Sequence, residues 1–208
     1  SYLPFGILFL ISDFLYFLLC KVARYRRKEV HDNLKKSFPE KTEEELHQIT
    51  EKFYRYLCDI IVENIKLLSI SAEEVKERFQ FLNKDEFQNN YDAGNDIVVA
   101  IGHSGNWEFA ALLAGLSLPQ QSVSFYRPQQ NSHFDKLIIN LRTRFGLQLV
   151  KEDRSRGIFK NTAGKPRMIL FPGDQTPSNT QAAHWMTFLN QDTPVHKGVE
   201  RISKMLRV

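Results

Sequence analysis

The chain is poor in cysteine and contains no motif built around that residue. Cys20 and Cys58 are the two cysteines among 208 residues, and their spacing fits neither a metal site nor a redox pair. We therefore expect both thiols to serve as apolar side chains in a reducing compartment. Five histidines are also scattered without the spacing of metal ligands, and we expect them to be structural or exposed: His31, His47, His133, His184 and His196.

Motifs of other functional classes are missing as well. There is no G-x-S-x-G run, which argues against a covalent intermediate on serine. No recognised nucleic-acid motif occurs, and aromatic residues do not alternate with basic ones as a stacking surface requires. The content of 42% hydrophobic and 25% charged residues is that of a globular domain. The net charge of +4 indicates an anionic partner without identifying it.

The first 20 residues are almost free of charge. Residues 3–20 carry one charged group, Asp13, and the basic run that follows contains Lys21, Arg24, Arg26, Arg27 and Lys28. A stretch of about 18 apolar residues is the lower limit for a helix that spans a bilayer. A cleaved signal peptide is disfavoured because the basic run follows the apolar segment. We expect residues 1–20 to be a membrane anchor, with the rest of the chain in the cytoplasm. A helix in the interface and a buried helix of a soluble core are open alternatives.

The remainder, residues 21–208, is expected to form one domain that begins with helices. Thr42 with Glu45, and Ser71 with Glu74, have the spacing of capping boxes and predict two helix starts. This helical region should extend to about residue 90. From about residue 95, β-branched runs predict strands at 97–102, 122–126, 147–150 and 167–171, with helices between the first three. The fold class predicted is α/β, a largely parallel mixed sheet flanked by helices.

The run HSGNWE, residues 103–108, stands where the first predicted strand passes into a helix. In open α/β sheets, ligand sites gather at the carboxyl ends of strands. With Gly105 in the turn, Glu108 can fold back onto His103 and accept its Nδ1 proton, which leaves Nε2 as a general base toward a hydroxyl. A histidine near a glutamate is more often structural than catalytic, so the spacing alone leaves both interpretations open.

HSGNWEF resembles the H-x4-D/E motif of the glycerolipid acyltransferase superfamily. It is most similar to the bacterial lipid A biosynthesis (late) acyltransferases, in the version found in Bacteroidetes-type bacteria. The resemblance covers essentially the whole chain, and further blocks that carry it are residues 25–46, 53–71, 126–146 and 172–198. Members usually continue past the position matching Val208, so the resemblance implies a chain truncated at its C-terminus.

This resemblance implies a function. The family moves a fatty acyl group from acyl carrier protein to a hydroxyl of a lipid A precursor, at the cytoplasmic face of the bacterial inner membrane. It implies His103 as the base, Glu108 as its partner, no metal and no organic cofactor. Open alternatives are the same chemistry on a lysophospholipid, an aminolipid or a mannosylated glycolipid, and a non-enzymatic membrane or anion-binding module.

Four further residues are candidates for substrate binding. Arg127 follows a predicted strand and could hold a phosphate or carboxylate, although a surface arginine is the alternative. Asp174 follows another strand and matches the start of the family's D-Q-D run, in which this chain lacks the second acid. Asn106 can cap the helix after His103. Arg142 and Arg144 lie two residues apart in the following predicted helix and cannot share a face, so at most one of them should reach the site, and Arg144 is the candidate.

Overall fold

The computed structural model describes residues 2–152, 164–206 and 208. These residues form two compact units. The first, called the helical unit, runs up to Ser69 and includes His184–Pro194; the second, called the sheet unit, comprises Ile70–Ala183 and Val195–Val208.

The helical unit is built from three helices and a hairpin. Its elements are α1 Phe5–Tyr16, a π-helical segment Phe17–Val22, α2 Arg27–Ser37, α3 Glu43–Leu67, and most of the strands β5 His184–Phe188 and β6 Gln191–Val195. Helix α1 packs against α3 through a buried cluster of Tyr16, Cys20, Tyr54 and Cys58. Burial raises the pKa of the Cys58 thiol, which keeps it in its apolar, protonated form.

The hairpin of β5 and β6 was not predicted from the sequence. Its two-residue turn consists of Leu189 and Asn190, both at positive φ, as tight hairpin turns require. The Asn190 amide donates to the Ser37 carbonyl at 3.1 Å, which docks the turn against the end of α2. All five residues of β5 are exposed. Because neither face of the strand is buried, its sequence HWMTF shows no regular alternation of apolar and polar side chains.

The sheet unit alternates helices and strands after two short helices. Its elements are α4 Ala72–Arg78, α5 Lys84–Asp92, β1 Ile97–Ile101, α6 Trp107–Ser117, β2 Gln121–Tyr126, α7 Ser132–Thr143, β3 Gln148–Lys151, β4 Arg167–Pro172, a 3-10 helix Thr180–Ala182, and α8 Gly198–Leu206. The four strands β1 to β4 are all parallel, in the order β1-β4-β2-β3. The predicted α/β class with a largely parallel sheet and flanking helices is confirmed.

Both predicted capping boxes are present. The Glu45 N–H donates to Thr42 Oγ1 at 3.3 Å, and the Thr42 N–H donates back to the Glu45 carboxylate at 2.9 Å. Ser71 and Glu74 make the same exchange at 3.1 Å in each direction. These bonds satisfy N–H groups that have no partner within the helix, which is why α3 and α4 begin where they do.

The core of the sheet unit lies on both faces of β4. Met168 and Leu170 belong to a buried cluster with Ala111 and Ala114 of α6, whereas Ile169 points to the other face and packs near Ile202 of α8. This alternation follows from the twofold repeat of side chains along a strand. β4 is therefore an interior strand of the sheet, with side chains packed on both of its faces.

The N-terminal helix is a candidate membrane span by its length and composition. Phe5–Val22 has 18 residues and a mean hydropathy of 2.0, which is long and apolar enough to cross a bilayer. A core helix of a soluble protein can be equally long and apolar, and 28% of this segment is buried within the protein. The membrane anchor therefore stays a prediction.

Candidate active site

The pairing of β1 with β4 brings two chemically active residues to one edge of the sheet. In this parallel pair Ile101 lies opposite Pro172, and the Gly173 N–H donates to the Ile101 carbonyl at 3.1 Å. His103 and Asp174 each come two residues after these strand ends. Register alone therefore sets them side by side, 71 residues apart in the chain.

His103 and Asp174 make two short hydrogen bonds. The imidazole Nδ1 lies 2.6 Å from Asp174 Oδ1, and the His103 backbone N–H donates to Oδ2 at 2.6 Å. A carboxylate only accepts hydrogen bonds, so Nδ1 carries the proton and Nε2 keeps its lone pair. A Cβ on Gly102 would lie 3.2 Å from Asp174 Oδ2, so a glycine favours this close approach.

The carboxyl of Asp174 is held in its charged form. Burial by itself raises its pKa, but the hydrogen bonds from the ring and the backbone N–H of His103 together outweigh burial. The pKa of Asp174 therefore lies below its usual value. The ionised carboxylate is suited to orient the imidazole and to stabilise a positive charge on it.

The free side of the imidazole faces an amide. Gln175 Nε2 lies 3.3 Å from His103 Nε2, so the amide can donate to the lone pair of the ring. The His103 side chain is 31% exposed, so the imidazole is partly accessible from solvent. Gln175 matches the D-Q-D run together with Asp174 but was not chosen among the predicted site residues. Its position directly after Asp174 is the signal that could have identified it.

Glu108 has a different partner from the one predicted. Its carboxylate accepts from Arg142 Nε at 3.0 and 3.2 Å and from Nη2 at 2.5 Å. The two side chains are 11% and 19% exposed, so this is a largely buried ion pair between α6 and α7. The predicted contact between Glu108 and His103 is wrong. Glu108 lies in the first turn of α6 and points toward α7, while Asp174 supplies the carboxylate from the neighbouring strand.

Trp107 connects the buried ion pair to the imidazole. Its ring meets the His103 ring edge to face, with centroids 5.2 Å apart. The guanidinium carbon of Arg142 lies 4.7 Å from the centroid of the Trp107 ring, within the range of a cation–π contact. A continuous series of contacts thus runs from Glu108 through Arg142 and Trp107 to His103.

Gly115 permits the close approach of α6 to the end of α7. A Cβ at Gly115 would lie 2.1 Å from the backbone oxygen of Phe145, which no side chain can tolerate without movement. The glycine thus brings the two helices close enough for Glu108 to meet Arg142.

The predicted binding residues are spread along this side of the sheet unit. Arg127 follows β2, and its Nε and Nη2 donate to Glu152 at 3.1 and 3.0 Å on an exposed surface. Because β4 lies between β1 and β2, Arg127 stands one strand beyond Asp174. Arg144 is exposed and lies over the Phe145 ring. The neighbouring Arg142 contacts Trp107, which lies against the His103 ring.

Asn106 occupies the N-cap position of α6, but its side chain makes no capping hydrogen bond. In the described ranges, no group of three or more His, Cys, Asp or Glu side chains is arranged to hold a metal ion. What the site offers is an imidazole base with an oriented tautomer, next to the first backbone N–H groups of a helix. Such an arrangement can deprotonate a hydroxyl and stabilise developing negative charge.

Comparison with known proteins identifies the family of the chain. The family model described as bacterial lipid A biosynthesis acyltransferase matches residues 1–203. A lipid A biosynthesis acyltransferase of Haemophilus influenzae is 24% identical over 127 residues, which is 60% of this chain and 39% of that protein. The matched segment thus spans well under half the length of that relative. Since the family model covers nearly the whole chain, including the strand ends that carry His103 and Asp174, the protein belongs to the bacterial lipid A biosynthesis acyltransferase family.

Proposed function

We propose that this protein transfers a fatty acyl group from a thioester of acyl carrier protein to a hydroxyl of a lipid A precursor, with His103 as general base. Membership of the family supports acyl transfer in lipid A biosynthesis. The observation that carries the proposal is the bond of 2.6 Å between His103 Nδ1 and Asp174, which leaves Nε2 available as a base.

The reaction follows from this arrangement. The acceptor hydroxyl replaces the Gln175 amide at Nε2 of His103 and gives up its proton as its oxygen attacks the thioester carbonyl. The imidazolium that forms is stabilised by the Asp174 carboxylate. Collapse of the tetrahedral intermediate breaks the carbon–sulfur bond, and the departing thiolate takes the proton from the imidazolium. The first N–H groups of α6 are suited to hold the oxyanion.

Glu108 is a positioning residue in this proposal. It holds Arg142, whose guanidinium lies against Trp107, and Trp107 in turn lies against the His103 ring. Loss of Glu108 should therefore disturb the orientation of the imidazole and the packing of α6 against α7. Direct contact of Glu108 with the reacting atoms is not required.

Substrate binding is proposed for the other candidates at this edge. Arg127 can exchange Glu152 for an anionic group of a substrate, because its pair with Glu152 is exposed and such pairs are weak. Asn106 and Arg144 are proposed to contact the substrates near the start of α6 and the end of α7. The expected result for Arg127→Ala is a raised KM with little change in kcat, since the residue would contribute uniform binding.

We further propose that the protein is attached to the bacterial inner membrane, with the sheet unit, which carries His103, on the cytoplasmic face. The apolar segment Phe5–Val22 and the basic run that overlaps its end support this location. Lipid acceptors reside in that membrane, so attachment would give the site access to them.

The deciding experiment measures acyl transfer in membranes from cells that express the full chain. Radiolabelled acyl groups on acyl carrier protein are offered to a tetra-acylated lipid A precursor, with wild type, His103→Ala and the exposed control His133→Ala. Loss of the base should reduce transfer by at least about 10²-fold, with the control unaffected. Undiminished transfer by His103→Ala would refute the mechanism. Transfer to a phospholipid or an aminolipid alone would refute lipid A precursor as the acceptor but would leave the proposed acyl-transfer mechanism in place.

A further inference from the structure

Helix α1 uses a narrow stripe for packing and leaves the rest of its surface exposed. The stripe consists of Phe5, Leu8, Ser12 and Tyr16, continued by Cys20 in the π-helical segment, and all are buried. The remaining surface of the segment is exposed and almost entirely apolar, and includes Ile7, Phe9, Leu10, Ile11, Phe14, Phe17 and Leu18. An apolar surface of this extent on one helix marks an interaction site.

Polar contacts tie α1 to α3 over most of their length. Ser12 Oγ donates to Asp59 at 2.6 Å, and Lys21 Nζ donates to Glu51 at 2.6 Å. Residue numbers rise along α1 as they fall along α3, so the two helices form an antiparallel pair.

The contacts on α3 are made by charged side chains. The guanidinium carbon of Arg55 lies 4.3 Å from the ring centroid of Tyr16, and its Nη1 lies 3.6 Å from the carboxylate of Asp13. Lys66 Nζ lies 5.5 Å from the ring centroid of Phe5. Asp13, the one charge within the apolar run, is thus matched by a positive charge on α3.

This pairing restricts how α1 can enter a bilayer. If α1 crossed the membrane together with α3, the charged residues along α3 would lie at the depth of the acyl chains, which is strongly unfavourable. If α1 crossed alone, the buried Tyr54 and Cys58 of α3 would lose their cover. A helix that lies parallel to the membrane surface avoids both costs, because α3 stays on the aqueous side and the outward face of α1 meets the lipid.

The charge next to α1 suits an anionic surface. Lys21, Arg24, Arg26, Arg27 and Lys28 are all exposed. Arg24 and Arg26 both have φ of 49°, so the chain turns sharply between α1 and α2. A cluster of basic side chains beside an apolar helix face is the arrangement that anionic headgroups attract.

We propose that α1 lies in the plane of the membrane surface, with its outward apolar face among the upper acyl chains and its basic run on anionic headgroups. The inference rests on the membrane attachment proposed above and specifies its geometry: the segment Phe5–Val22 does not cross the bilayer. Helix α1 is the inserted helix, and α3 covers its other side from the aqueous phase.

The first test determines on which side of the membrane the two ends of α1 lie. Tyr2→Cys and Val22→Cys place a thiol at exposed positions before and after the apolar segment, and both native cysteines are buried, so wild type gives the labelling background. A membrane-impermeant maleimide is applied to spheroplasts before and after lysis. In-plane insertion requires that both new thiols are protected in intact spheroplasts and labelled after lysis. Labelling of Tyr2→Cys in intact spheroplasts would show a spanning helix and overturn the proposal.

The second test measures binding to vesicles of equal parts phosphatidylethanolamine and phosphatidylglycerol. Leu10→Glu and Phe14→Glu place a charge on the outward face, where these side chains are 69% and 60% exposed, and should each weaken binding by about tenfold or more. The matched control is Leu82→Glu in the sheet unit, 91% exposed, which should bind as wild type does. Equal binding by all three variants would overturn the proposal.

The binding of wild type to these vesicles separates this inference from the proposed chemistry. If wild type fails to bind, membrane attachment is refuted, and the in-plane geometry with it. The mechanism at His103 is tested separately, because acyl transfer measured in detergent depends neither on membrane attachment nor on the geometry of α1.

Discussion

The clearest prediction concerns which carboxylate assists His103. Asp174→Asn preserves the size of the side chain and can still accept the backbone N–H of His103 through its amide oxygen. Its NH2 group would then face Nδ1, which draws the ring lone pair to Nδ1 and the proton to Nε2. The base would be present in the wrong tautomer.

The magnitude follows from the geometry of the pair. Charge centres about 4 Å apart attract by about 1 kcal/mol in water and about 4 kcal/mol at an effective dielectric constant of about 20. The side chains of His103 and Asp174 are 31% and 46% exposed, so the interaction lies between these limits. With loss of the correct tautomer added, we expect kcat for Asp174→Asn to fall by roughly 10²- to 10³-fold.

The matched variant is Glu108→Gln, which removes the other carboxylate at nearly constant volume. Because Glu108 contacts Arg142 and not His103, we expect a loss of stability and a fall in kcat of less than about tenfold. The assay is acyl transfer at saturating donor and acceptor, run well below the unfolding temperature of each variant. A severe loss of kcat in folded Glu108→Gln, with Asp174→Asn near wild type, would show that our assignment of the carboxylates is reversed.

The structure supports three further predictions. Glu108→Gln or Arg142→Gln removes one member of the buried pair and should lower the free energy of unfolding by about 2–4 kcal/mol, as measured by urea denaturation. The double variant should lose less stability than the sum of the two single variants. Strict additivity of the losses would contradict a direct interaction between the two side chains. The stability that ionised Asp174 contributes should be fully present above about pH 5 and should be lost as the pH falls through its depressed pKa. The difference in free energy of unfolding between wild type and Asp174→Asn should therefore shrink below about pH 4. A free-energy difference that does not depend on pH would argue against the hydrogen bonds to His103. Gly115→Ala should destabilise the protein by about 1–3 kcal/mol, because its Cβ would meet a backbone oxygen at 2.1 Å. Gly6→Ala, in helix α1 with nothing within 4 Å, should stabilise the protein by up to about 1 kcal/mol, as measured by thermal unfolding. Equal effects of the two substitutions would mean that α6 and the end of α7 approach less closely.

Much of the local structure could be predicted from the sequence. The two capping boxes mark the starts of α3 and α4 because the bonds that form them join residues three apart. The apolar run of β4 marks a strand for a similar reason, since its first four residues are all buried and a strand buried on both faces is apolar nearly throughout. The hairpin of β5 and β6 escaped prediction because it is exposed and obeys no such pattern.

The candidate site was predicted in part. His103 was identified because it stands at the end of a recognisable strand and before a helix. Its partner was sought nearby, at Glu108, because spacing along the chain reports only on neighbours. Asp174 was chosen as a candidate, but its bond to His103 could not be inferred, and neither could the pairing of Glu108 with Arg142, which joins residues 34 apart.

The sequence by itself determined the starts of α3 and α4, the four strands of the parallel sheet, the family and the position of His103, because caps, strand patterns and motifs act over a few neighbouring residues. The tertiary structure alone decided that β4 lies beside β1, in the register that sets Asp174 against the imidazole. Strand order and register depend on how Met168, Ile169 and Leu170 fill the core between helices distant in the chain. Such packing is a property of the whole sheet unit, and no local run of residues records it.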